Sequence, residues 1–226
     1  NFSSYSEESE RSAELSLAAQ QEVNPLQKYV DECLKQASEE SIYLFGFNAG
    51  YYKTPNISLH ARAQNVSYYY NRGSIIIPER TFLEEELGKI IIERMLFLCS
   101  DFSIFEEQGY NIQVGNPSAN VRIMTDKVAI EIDYPLNIVR EGSRYSLSKF
   151  AYVLPFRIDH ILEITKELIY QVAKQPFALD LTLLLNYDVD NSAAAYSQCD
   201  TIYMIVDNQS KIASNDEPFV FLFLLI

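Results

Sequence analysis

Three groups of side chains in this sequence could do chemistry: two histidines, three cysteines and a close pair of aspartates. A nucleophilic triad needs a histidine base beside its nucleophile. His60 falls in an irregular stretch and His160 at the start of a helix, and no nucleophile-elbow motif stands near either. Both read as exposed or capping residues. Cys33, Cys99 and Cys199 have no zinc spacing with any histidine, and C-x-x-C is absent. "DVDN" at 188–191 sets Asp188 and Asp190 two residues apart, as a calcium loop does, but lacks the loop glycine and the terminal glutamate. These aspartates read as the solvent side of a strand whose other side is Tyr187 and Val189. The seven glycines form no phosphate loop. The expectation is no catalytic residue, no metal and no cofactor.

Tyrosine is the other chemical signal, with 16 residues against no tryptophan. Tyr51, Tyr52, Tyr68, Tyr69 and Tyr70 fall between Gly46 and Gly73, with Arg72 beside them in an otherwise acidic chain. Tyr and Arg are enriched at binding hot spots, and long irregular segments tend to carry function. This makes the segment a candidate surface for another protein or a glycan. The competing reading is that alternate tyrosines of "SYYYN" pack in a strand. Four N-x-S triplets, at Asn1, Asn56, Asn65 and Asn208, are candidate glycosylation sites if the chain is exported.

The elements that must position these residues are legible from periodicity. Asn24 as cap, Pro25 at the first helical position and Gln27 as capping-box partner predict a helix start. Leu26, Tyr29, Val30, Cys33, Leu34 and Ala37 give it one apolar face. A second helix is predicted from Thr81, boxed by Glu84, with Leu83, Leu87, Ile90, Ile91, Met95 and Leu98 as its stripe and Cys99 at its end. Short strands follow around Tyr110–Val114 and Val121–Ile123. Val128 to Ile138 then alternates for eleven residues, with Glu131, Asp133 and Asn137 facing outward. Pro135 marks an edge or a bulge. "REGS" at 140–143 is a turn, and Phe150 to Ile158 is the returning strand of a hairpin. A third helix is expected over about Asp159 to Lys174, stopped by Pro176. Strands are expected over Leu183–Val189, Thr201–Val206 and Phe219–Ile226, with turns at Asp207-Asn208 and at "SNDEP". The fold class is α+β: a mostly antiparallel sheet or sheets with about three packed helices.

Residues 1–23 are rich in Ser, Glu, Gln and Ala and read as a solvated stalk, partly helical from about Glu10, before a single domain over 24–226. The chain begins at Asn1 and no stretch reaches ~18 apolar residues. Any signal or anchor segment is therefore expected to lie upstream, out of view. A net charge of -13 disfavours nucleic acid and anionic lipid as partners. Cys33 and Cys99 sit at the buried edges of two helices that should pack together, so a disulfide between them is expected, with Cys199 reduced. Two buried free thiols, as in a cytosolic protein, are the alternative.

"NPLQKYVDECLKQASEE", "FSIFEEQGYNIQVGNPSANVRI", "DYPLNIV" and "DTIYMIVDNQS" together resemble uncharacterised archaeal surface proteins of small-genome lineages, over about Asn24 to Val220. The resemblance implies an apolar anchor similar to that of pilin precursors, a short stalk and an extracytoplasmic domain, with Cys33 and Cys99 similar to the recurrent cysteines. It implies no catalytic motif. Two function classes stay open: a non-catalytic surface interaction or structural module, which could self-associate, and an extracytoplasmic ligand-binding protein or hydrolase with an unfamiliar site.

Overall fold

The computed structural model describes the backbone of residues 2–61, 64–174, 187–212 and 216–226, with side chains from Val23 onward, Ala61 and Gln64 excepted. The first element, α1 (Phe2–Phe47), is longer than expected because it runs straight through Pro25. Asn24 caps nothing, and the Gln27 amide turns forward to Asp31, at 3.1 Å, instead of back to Asn24. The cap signal is local; burial of Leu26, Val30, Leu34, Ala37, Ile42 and Phe45 is what fixes the docked part of the helix. α1 ends where Ala49 (φ 54°) and Gly50 (φ 81°) turn left-handed and the Gly50 N–H bonds to the Phe45 carbonyl at 2.7 Å.

The segment after α1 is mostly a sheet. β1 (Ser58–Ala61) and β2 (Gln64–Asn71) form an antiparallel hairpin, and β3 (Ser74–Ile75) folds back on β2 through Arg72 and Gly73, both at positive φ. α2 (Arg80–Cys99) buries the predicted Leu83, Leu87, Ile90, Ile91, Met95 and Cys99. Its start differs from expectation: no side chain caps it, and Glu84 accepts a bond from the Ile123 N–H at 2.8 Å instead. A single turn, α3 (Ser103–Glu106), follows.

The next four strands are β4 (Asn111–Val114), β5 (Ser118–Ile123), β6 (Val128–Arg140) and β7 (Ser143–Leu154). β6 pairs with β4 and β5 along one side and with β7 along the other. Pro135 sits at a bulge, where the β6–β7 register shifts between Asp133 and Leu136 and where β4 gives way to β5. Its missing N–H therefore breaks no ladder. The 140–143 turn carries Glu141 and Gly142 at positive φ, as a two-residue hairpin requires. β7 starts and ends earlier than predicted, at Ser143 and Leu154; Phe156 leaves the strand to become a fully buried plug and Ile158 opens α4 (Ile158–Lys174).

β8 (Asp190–Ala195), β9 (Thr201–Lys211) and β10 (Pro218–Leu225) complete a six-stranded sheet of order β1-β2-β10-β9-β8, with β3 on β2. All pairs are antiparallel except β2–β10. The fold is thus α+β. Tyr187 to Val189 are bends and not a strand, Leu183, Leu185 and Pro176 lie outside the described residues, and β8 was not foreseen. Asp207 and Asn208 are strand residues and not a turn. One apolar core joins the two sheets and the helices. α1 touches β7 and β10, and α2 lies across β5. Phe156, Phe219, Phe221, Phe223 and Tyr69 make a run of edge-on and tilted ring contacts through its centre.

Candidate functional site

The tyrosine group does not make a surface. Tyr51, Tyr69 and Tyr70 are buried, and Tyr52 and Tyr68 half-buried. Tyr69 is fully enclosed; its hydroxyl donates to the Ala49 carbonyl at 2.7 Å, and burial pushes its pKa well above the ordinary value. Tyr51 packs edge-on against Phe82. The Tyr52 N–H is held by Glu86 at 2.8 Å. Tyr68 donates to Asp200 at 2.7 Å, and burial together with that carboxylate raises it to about 12. Arg72 is exposed, but on the β2–β3 turn. The strand reading of "SYYYN" is the one the structure has, because Tyr69 faces β10 and the core while the hairpin covers the sheet edge.

His60 lies on β1 and His160 on α4. His60 Nδ1 lies 2.8 Å from Asn65 Oδ1, and the His160 ring meets Tyr187 edge-on at 5.7 Å. Among the described residues, no group of three or more His, Cys, Asp or Glu could hold a metal ion. Asp188 accepts from the Gln209 amide, and Asp190 from the Asn208 amide at 2.6 Å, so each "DVDN" carboxylate has a neutral partner. Asn56, Asn65 and Asn208 are exposed; Asn1 lies outside the described residues.

Cys33 and Cys99 are joined, with Cα atoms 5.9 Å apart, so the first packed turns of α1 are tied to the end of α2. Cys199 is free and exposed in the β8–β9 turn.

A concavity lies elsewhere, on the outer face of the four-stranded sheet. It is a trough of about 500 Å³ over β5, β6 and β7. The register builds it: Ser118 and Lys149 flank Asp133, and Asn120 and Ala151 flank Glu131. Lys149 Nζ reaches Asp133 at 2.6 Å and Asn120 Nδ2 reaches Glu131 at 3.2 Å. Alternation leaves these side chains outward because Val128, Ile130, Ile132, Tyr134, Leu136 and Ile138 take the core side. Small neighbours, Ser118 and Ala151, leave the floor open. The arrangement offers carboxylate acceptors, an amide and one ammonium within a few residues of one another. It can hydrogen-bond a polar ligand or a polar protein surface. The outward position of Glu131 and Asp133 was readable from alternation; their flanking partners depend on register, which no local signal shows.

No protein-family model matches the chain, and neither a curated protein nor a solved structure matches it.

Proposed function

We propose that this chain is a non-catalytic interaction module, held on the outer face of a cell through an N-terminal anchor of the kind seen in the archaeal surface proteins it resembles. The observation that carries the reading is the Cys33–Cys99 pair. Disulfides persist in oxidising compartments and are rare in the cytosol. Two further features support it. α1 runs for 46 residues, from Phe2 to Phe47, long enough for its first turns to serve as a lead into the domain. No described helix is long and apolar enough to cross a membrane, so an anchor would have to be supplied outside those helices.

The partner is proposed to be a protein or a glycan of the cell surface, and the polar trough around Glu131, Asp133 and Lys149 is the face offered to it. The test has two parts. Protein recovered from its own cells without reductant is alkylated under denaturing conditions and weighed; three reacting thiols would remove the compartment argument. Glu131→Lys and Asp133→Lys variants, checked for unchanged melting, are then assayed for binding to cell-envelope material. Binding that survives both charge reversals would rule out the trough as the contact face.

A further inference from the structure

An N-linked sugar needs an N-x-S triplet that can be reached on a surface segment of an exported chain. The transfer joins the Asn Nδ2 to the first carbon of a sugar carried on a lipid phosphate. The sugar–phosphate bond breaks, the lipid phosphate leaves with the bonding electrons, and the amide nitrogen gives up one proton to a base on the transferase. Nδ2 must therefore be free, and the backbone and serine of the triplet must fit into the transferase. Asn56, Asn65 and Asn208 are all exposed, so exposure of the asparagine does not separate them. Their surroundings do.

Asn208 lies within β9, and its Nδ2 already donates to Asp190 at 2.6 Å. Ser210 of the same triplet is fully buried. Its Oγ donates to Asp207 at 2.5 Å and accepts from the Arg157 N–H at 2.9 Å. A transferase could reach this serine only by opening the contact between Arg157 and Asp207. Asn65 lies on β2, opposite His60 of β1, with its Oδ1 2.8 Å from His60 Nδ1. Ser67 of its triplet is also fully buried, and it is paired with Ser58 across the hairpin. Presenting this triplet means stripping β1 from β2.

Asn56 differs on each count. It lies in a bend before β1, and neither its side chain nor its backbone makes a hydrogen bond among the described residues. Ile57 beside it is 47% exposed. Ser58 is only half-buried and stands at the first position of β1, where a strand frays most easily.

We infer that Asn56 carries an N-linked sugar and that Asn65 and Asn208 stay bare. The inference rests on the extracellular placement proposed above, because such triplets are used in exported chains. It does not depend on the trough.

Protein recovered from its own cells without reductant is digested and its peptides are weighed, and the state of Cys33 and Cys99 is read on the same sample. The expected result is a glycan mass on the Asn56 peptide, with the Asn65 and Asn208 peptides at their unmodified masses. Produced in the same cells, Asn56→Gln and Ser58→Ala each lose that mass from the intact protein, and Asn65→Gln keeps it. A bare Asn56 in protein whose disulfide is formed overturns the inference and leaves the extracellular reading standing. A bare Asn56 in protein with all three thiols free overturns both. A sugar on Asn65 or Asn208 overturns the inference as well.

Discussion

Gly46 of α1 lies directly against Val220 of β10: a Cβ built on it would stand 2.1 Å from the Val220 carbonyl oxygen and 2.7 Å from the Phe219 ring. Val220 is in register with Val206 of β9, on a strand whose far end also pairs with β2, so its carbonyl cannot simply retreat. In an ordinary helix, replacing Gly by Ala gains up to about 1 kcal/mol. Here Gly46→Ala is expected to cost about 1–3 kcal/mol, the range for forcing extra volume into a packed contact. Urea unfolding gives the sign. A raised midpoint would mean that α1 does not approach β10 this closely.

The Cys33–Cys99 pair closes a loop of 66 residues. On the chain-entropy account, a loop of this length stabilises by about 4 kcal/mol. Reduction, or Cys33→Ser with Cys99→Ser, is therefore expected to lower the melting temperature markedly. Alkylation without reductant should add one label, at Cys199, and a mass showing three labels counts against the bond.

What was legible in the sequence was what is decided locally. β6 announces itself because its apolar residues alternate through Val128 to Ile138, and the α2 and α4 stripes repeat with the helical period. The outward side of β6, and with it Glu131 and Asp133, came with that alternation. What was not legible depends on partners far along the chain. Asp207-Asn208 looks like a turn, yet Asp207 is completely buried because Arg157, fifty residues away, neutralises it. Tyr69 and Tyr70 look like a recognition patch until β2 is set beside β10 with Tyr68 facing Leu224. Asn24-Pro25 has every local mark of a helix start, and the structure runs the helix through it.

Burial alone would push the Asp207 carboxyl up. The Arg157 guanidinium, Ser210 Oγ at 2.5 Å and the Gln209 N–H at 3.0 Å outweigh burial and hold it below its ordinary value. A carboxyl lowered in the folded state stabilises fully above its unfolded value, about 4, and that stabilisation is lost as pH falls through the folded value. Asp207→Asn removes the charge and leaves Arg157 facing a neutral amide. It is expected to cost about 3–5 kcal/mol at neutral pH. It should also flatten the acid limb of stability below about pH 4 relative to the parent. Urea midpoints of both proteins across that range check it; parallel acid limbs would show that Asp207 is not the group being protonated.

The enclosed Tyr69 sets a condition on any test of the β2 tyrosines. Tyr69→Phe leaves the Ala49 carbonyl without its 2.7 Å donor and is expected to cost about 1–2 kcal/mol. Tyr69→Ala also opens a cavity among Phe221 and Phe223, for about 3–5 kcal/mol. If Tyr69→Ala melts like the parent, the side chain is not in the core. If it melts early, any loss of binding in that variant reports unfolding.

Removal of residues 1–22 is expected to leave the domain intact, with melting within a few degrees of the full chain. These residues are rich in Ser, Glu, Gln and Ala with no strong apolar stripe to bury, and Leu26, Val30, Leu34, Ala37, Ile42 and Phe45, which pack α1 into the core, all lie within 24–226. The junction is also suited to being cut. Pro25 has no N–H, so the shortened helix loses no bond there to a residue upstream. Proline is favoured at the first position of a helix and Asn just before it. Truncation thus converts an interior Asn24-Pro25 into the helix start that these residues are fitted to be. Thermal unfolding of the two proteins by circular dichroism, with the disulfide intact in both, makes the comparison. A fall of more than a few degrees would show that the N-terminal part of α1 docks on the domain. The same result would make α1 one continuous structural unit from Phe2, and would remove the reading of residues 1–23 as a spacer.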